Sequence, residues 1–95
     1  MIAERLTVKV KPGQMDKLID LHNRVPKVEN HPVVRLYTPK YSTHGVATIE
    51  FEFDSVADIE PYEAEWHALP ETPAFMAEFM ACVECVVSDE VWELH

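Results

Sequence analysis

Cysteine, positive charge and long apolar runs are all scarce in this chain. Two cysteines in 95 residues cannot build a disulfide scaffold, and they fit a reducing compartment. Eight Lys and Arg stand against 17 Asp and Glu, a formal charge of −9. That balance repels phosphate backbones and anionic membrane surfaces, so neither nucleic acid nor membrane is expected as a partner. No apolar run approaches the ~18 residues of a membrane span. Glu4 and Arg5 interrupt the first residues where a signal peptide needs an unbroken apolar segment. The expected compartment is therefore the cytoplasm. There is no second C-x-x-C, no H-x-x-x-H, and no internal repeat or low-complexity segment.

What is present is an ordinary globular composition, 47% hydrophobic and 26% charged, of a length for one domain over residues 1–95. A chain of this size buries roughly 60–65% of the surface its unfolded form exposes. Its stability is marginal unless a partner covers apolar area, and a second copy is the obvious candidate.

The clearest pattern is Val46–Asp54, with Ala47, Ile49, Phe51 and Phe53 apolar and Thr48, Glu50, Glu52 and Asp54 polar. Such period-2 alternation predicts a strand with one buried face. Ala3–Lys11 alternates likewise, with Leu6, Val8 and Val10 on one side. Pro12-Gly13 ends it, and Met15, Leu18, Ile19, Leu21, His22 and Val25 recur at helical spacing, predicting a helix over Gln14–Arg24 that Pro26 stops. Pro26–Pro32 reads as a loop, Val33–Thr38 as a second strand, and Pro39–Gly45 as a turn into the strand at Val46. Ser55 with Asp58 resembles a capping box and starts a second helix. Pro61 conflicts with it and is expected to kink that helix at a cost of up to ~3 kcal/mol. Ala68–Thr72 breaks the helix, Thr72-Pro73 restarts it as cap and first-position proline, and an apolar stripe runs from Phe75 to about Cys82. Val86–Leu94 reads as the last strand.

The order β-α-β-β-α-α-β is the ferredoxin-like split βαβ pattern, an α+β fold, with its second helix broken in two. Right-handed crossovers put the helices on one face of a four-stranded antiparallel sheet of order 4-1-3-2. The other face carries Arg5, Thr7, Lys9, Arg35, Tyr37, Thr48, Glu50 and Glu52, and Arg5 and Lys9 are expected to pair with Glu50 and Glu52 across the first and third strands. Tyr37, Val33 and Trp92 favour coverage of that face by a symmetric partner.

Val8-Lys-Val-Lys-Pro-Gly13, Val34-Arg-Leu-Tyr-Thr-Pro39, Ile49-Glu-Phe-Glu-Phe-Asp-Ser55 and Glu65-Trp66 with Pro70 and Phe75 resemble the dimeric α/β-barrel superfamily. The Trp-x-x-x-Pro-x-x-x-x-Phe spacing is similar to its NIPSNAP-like branch. The resemblance covers nearly the whole chain and implies a homodimer whose two sheets pack into a barrel. These motifs are structural, and no catalytic residue is assigned.

Candidate chemistry follows from single residues. Cys82-Val-Glu-Cys85 matches C-x-x-C, but at the end of a helix, where the dipole opposes thiolate, so structural thiols are expected and no metal. Haem-degrading relatives use a helix histidine as axial ligand, and the resemblance permits that role for His22 or His67; their other motif residues are not identifiable, and no cofactor is assigned. Relatives resembling cofactor-independent monooxygenases oxidise flat aromatic substrates with pocket aromatics, and Trp66, Tyr37 and Tyr62 are candidates to line such a pocket, with core packing as the alternative. Glu50 and Glu52 form either an acid/base pair or a solvated charge ladder. The expected protein is a small dimer with a small-molecule pocket between helices and sheet, its candidate binding residues being His22, Tyr37, Tyr62, Trp66 and His67. A monooxygenase-like enzyme and a non-enzymatic assembly module are the alternatives.

Overall fold

In a computed structural model that describes residues 1–41 and 43–95, the alternating segments form a single sheet. The elements are β1 (Ile2–Val10), α1 (Met15–Asn23), β2 (Val33–Tyr37), β3 (Val46–Phe53), α2 (Ile59–His67), α3 (Thr72–Cys82) and β4 (Val83–Glu93), with one 3-10 turn, Val56–Asp58, before α2. The strand order is β2-β3-β1-β4, antiparallel throughout, as the split βαβ pattern requires. Gly13, at φ +77°, takes the left-handed conformation that turns the chain out of β1 towards α1. The expected Pro39–Gly45 turn includes Ser42, which lies outside the described residues.

Strand register sorts the side chains. Val8 and Val10 of β1, Ala47 and Phe53 of β3 and Val83 of β4 are buried beneath the helices. From α1, Leu18 and Leu21 join them, each such side chain contributing about 1.5–3 kcal/mol. Val8, Val10, Leu18, Ala47 and Val83 form the buried core, flanked by Leu6, Met15, Leu36 and Phe79. This core occupies one end of the sheet. Over the other end stands α2, which buries none of its residues, and the bulky sheet residues there, Leu6, Leu36, Ile49 and Phe51, stay only partly covered.

Several expectations change. The last strand begins at Val83, three residues early, because two register shifts against β1 leave Glu84 and Val87 as extra residues and break the period-2 pattern. Lys9 does not meet Glu50 or Glu52; it faces Val46 in register and pairs with Glu84 of β4 at 3.2 Å, while Glu52 pairs with Arg35 at 3.1 Å. Pro61 costs no helical bond. The capping box of Ser55 and Asp58 starts the 3-10 turn, and the α-helix begins afresh at Ile59. Pro61 thus lies in its first turn, where a backbone N–H has no helical acceptor. Thr72 does not cap its own helix: its buried hydroxyl donates to the Trp66 carbonyl at 2.6 Å and ties the end of α2 to the start of α3.

Candidate functional site

Helix α2 presents two i,i+4 pairs, Tyr62 with Trp66 and Glu63 with His67, and each pair lies on one face one turn apart. Tyr62 points to the sheet. Its ring lies 5.6 Å from that of Phe53, 6.1 Å from Phe51 and 5.3 Å, edge-on, from His31. Burial beneath α2, with the charges of Glu4 and Glu63 adding to it, pushes its hydroxyl up to about 12, so it stays a neutral phenol. The Trp66 indole N–H donates to the Pro26 carbonyl at 2.8 Å, pinning α2 to the loop after α1. The Trp66 ring stands at 89° to that of Phe75, centroids 5.8 Å apart.

Between α2 and the sheet these side chains enclose a cavity of about 190 Å³. Its floor is Leu6, Val34, Leu36, Ile49 and Phe51, and its walls come from α1 (Leu18, Leu21, His22), α2 (Tyr62, Glu63, Trp66, His67) and α3 (Phe75, Met76, Phe79), with Val25 beside them. The lining is almost wholly apolar. Of these residues only Glu63 and His67 are exposed, which puts the mouth at their edge of α2. Burial, and then the charge of Lys27, lower His22 below the usual histidine range, leaving it a neutral imidazole at pH 7. A more open trough of about 470 Å³ lies on the other side of Tyr62, lined by Glu29, Glu52, Asp54, Asp58 and Glu65 among others.

Four of the five candidate residues, His22, Tyr62, Trp66 and His67, therefore share this cavity. Tyr37 does not. The alternation of β2 that sends Val34 and Leu36 to the helices sends Tyr37 to the opposite face, where its hydroxyl donates to Glu50 at 3.3 Å. Glu50, 5% exposed, also accepts from Arg5 Nε at 2.8 Å and Arg35 at 3.3 Å. Burial alone would raise this carboxyl; the hydrogen bonds and charge of Arg5, with those from Tyr37 and Arg35, outweigh it and hold Glu50 below its ordinary range. A carboxylate so held is a poor proton carrier near neutral pH, which disfavours Glu50 as an acid or base, and Glu52 pairs with Arg35 beside it. Cys82 is buried, its thiol 3.8 Å from Gln14 Oε1, whereas Cys85 is exposed on β4; both are free. No group of three or more His, Cys, Asp or Glu among the described residues is arranged to hold a metal.

The space beside His22, about 190 Å³, has the volume of one ring, smaller than a four-pyrrole macrocycle.

One pair of residues escaped the reading of the sequence. Glu4 shares the helix-facing side of β1 with Leu6 and Val8, opposite Phe51 and Val91 in register. Burial, a hydrogen bond with Asp89 and the charges of Asp89 and Glu63 push its carboxyl up to about 7. A charge in phase with the apolar side of an alternating strand is the signal by which the sequence could have shown it.

Fold and cavity together define a ferredoxin-like α+β domain with a hollow between its sheet and its second helix. An uncharacterised NIPSNAP domain protein from Burkholderia xenovorans superposes over 100% of this chain and 95% of its own with a TM-score of 0.84, at 13% identity. A NIPSNAP-like domain protein from the same organism gives 0.83 over 99% and 84%, at 10% identity. A proposed antibiotic biosynthesis monooxygenase from Chloroflexus aurantiacus gives 0.69 over 99% and 93%, at 14% identity. At these identities the likeness is one of fold, and the fold is the ferredoxin-like one of NIPSNAP-domain proteins. No protein-family model and no curated protein matches the chain by sequence. No helix among the described residues is long and apolar enough to cross a membrane.

Proposed function

We propose that this protein binds an apolar small molecule beneath α2. The observation that carries the reading is the cavity itself: the large side chains of the sheet beneath α2, which an ordinary core covers, face about 190 Å³ of almost wholly apolar space. Toluene, added to isotope-labelled protein, should shift the methyl resonances of Leu6, Leu36 and Ile49 saturably and leave those of Val8 and Val10, in the buried core, in place. Unmoved methyls at all three cavity positions would refute it.

The binding unit in this reading is a homodimer joined through the sheet face opposite the cavity. Val33, Tyr37 and Trp92 are each about half exposed in the isolated chain, and Tyr37 belongs to a face whose centre, Glu50, is already buried and saturated with donors. A surface of that kind suits a symmetric partner. Equilibrium sedimentation should show a dimer at micromolar concentration and a monomer for Tyr37→Asp; a monomeric parent protein would defeat this part. The two free thiols support a cytoplasmic setting.

A monooxygenase-like reaction is the second reading, favoured by the neighbour from Chloroflexus aurantiacus and by the aromatic walls Tyr62 and Trp66. It requires oxygen uptake in the presence of a one-ring phenol. Binding without uptake leaves a ligand-binding protein, and a dimer that binds nothing leaves an assembly module.

A further inference from the structure

The size, walls and mouth of the cavity together narrow the ligand class. We propose, building on the binding reading above, that the cavity takes a one-ring apolar amine, its ring under α2 and its ammonium at the mouth beside Glu63.

Size sets the body. An apolar cavity of about 150 Å³ holds benzene, so about 190 Å³ admits one ring and a short substituent. The walls suit the same class. Tyr62, Trp66, Phe75 and Phe79 line the space, and Trp66 and Phe75 meet at a right angle; ring faces so placed stack with an aromatic body and attract a cation that reaches them.

The mouth sets the head group. Glu63 and His67 are the exposed lining residues, one helical turn apart. On the sheet, Glu4 shares the helix-facing side of β1 with the lining residue Leu6 and lies opposite Phe51, another lining residue, in register, and the charges of Glu63 and Asp89 both act on it. No ion pair among the described residues includes Glu4, Glu63 or Asp89. No Lys or Arg lines the cavity; Lys27, which acts on His22 and His31, stands outside it. A carboxylate ligand would meet no Lys or Arg and would lie beside the Glu63 carboxylate, whereas an ammonium gains an acceptor in Glu63.

Benzylamine, benzyl alcohol and benzoate test this with one ring and three heads, followed on the indole N–H resonance of Trp66. Benzylamine should bind about threefold to fivefold more tightly than benzyl alcohol, the gain of one ion pair at an exposed carboxylate, and benzoate more weakly than the alcohol. Glu63→Gln, on the exposed side of α2, should bring benzylamine to within about twofold of benzyl alcohol. Benzoate binding as tightly as benzylamine, or benzylamine indifferent to Glu63→Gln, overturns the amine assignment and leaves the apolar-binding reading intact. If none of the three moves the Trp66 resonance, both fail.

Discussion

Trp66 separates a filled core from a ligand cavity, because its ring packs on Phe75 while its indole N–H ties α2 to Pro26 at 2.8 Å. Trp66→Phe keeps most of the ring and deletes the donor, leaving the Pro26 carbonyl without it. The net loss for such a bond is about 1 kcal/mol, which lowers the melting temperature of a domain this size by about 4–8 °C. Trp66→Ala removes the ring as well. A Trp packed on all sides costs about 3–5 kcal/mol when truncated. Trp66 is only partly buried and one side of it faces the cavity, so the expected cost is about half of that, ~2 kcal/mol. Urea unfolding at constant m-value measures both numbers, and toluene affinity should fall by about tenfold in the Ala variant as an aromatic wall is lost. A loss above ~4 kcal/mol for Trp66→Ala, with toluene binding absent from the parent protein, would refute the reasoning and make Trp66 a core residue.

Glu4 gives a pH dependence. Its carboxyl is raised in the folded chain to about 7 from an ordinary 4.5, so the folded state holds the proton more tightly and this contribution to stability is lost as pH rises through that window; Glu4→Gln should flatten the fall in urea midpoint between about pH 5 and about pH 8. Glu50 has the opposite sign. It is held low, so its contribution is present above the usual carboxylate range and lost as acid protonates it, and Glu50→Gln should cost about 1–2 kcal/mol near neutral pH, less than a fully buried pair because Arg5 and Arg35 are partly exposed, with a shallower acid transition. Cys85→Ser should leave stability and metal content unchanged. Cys82→Ala should cost about 1 kcal/mol by emptying a buried position, and stoichiometric zinc lost in the double variant would contradict the structural role of both thiols.

Much of the fold is legible without coordinates because alternation is a one-dimensional signal. Ile49, Phe51 and Phe53 had to share a side of β3, the spacing of Leu18 and Leu21 had to make a helical face, and the order of elements left one economical sheet. His22 and Trp66 lie on the apolar stripes of their helices and His67 on the border of one, and the resemblance to pocket-bearing relatives singles them out from the other stripe residues. Three things were decided only in the folded structure. Tyr37 was separated from the other candidates by the pleat of β2 once the helices had chosen one side of the sheet. Pro61 was harmless because the chain spends a 3-10 turn before starting α2, a local choice that a proline does not announce. The cavity exists because α2, tethered by the Trp66 indole to Pro26 and by the Trp66 carbonyl to Thr72 at the start of α3, spans the sheet residues Leu6, Ile49 and Phe51 without descending on them. Periodicity says which side of a strand is apolar; how far away the covering helix is held depends on a bond between residues 40 apart in the chain.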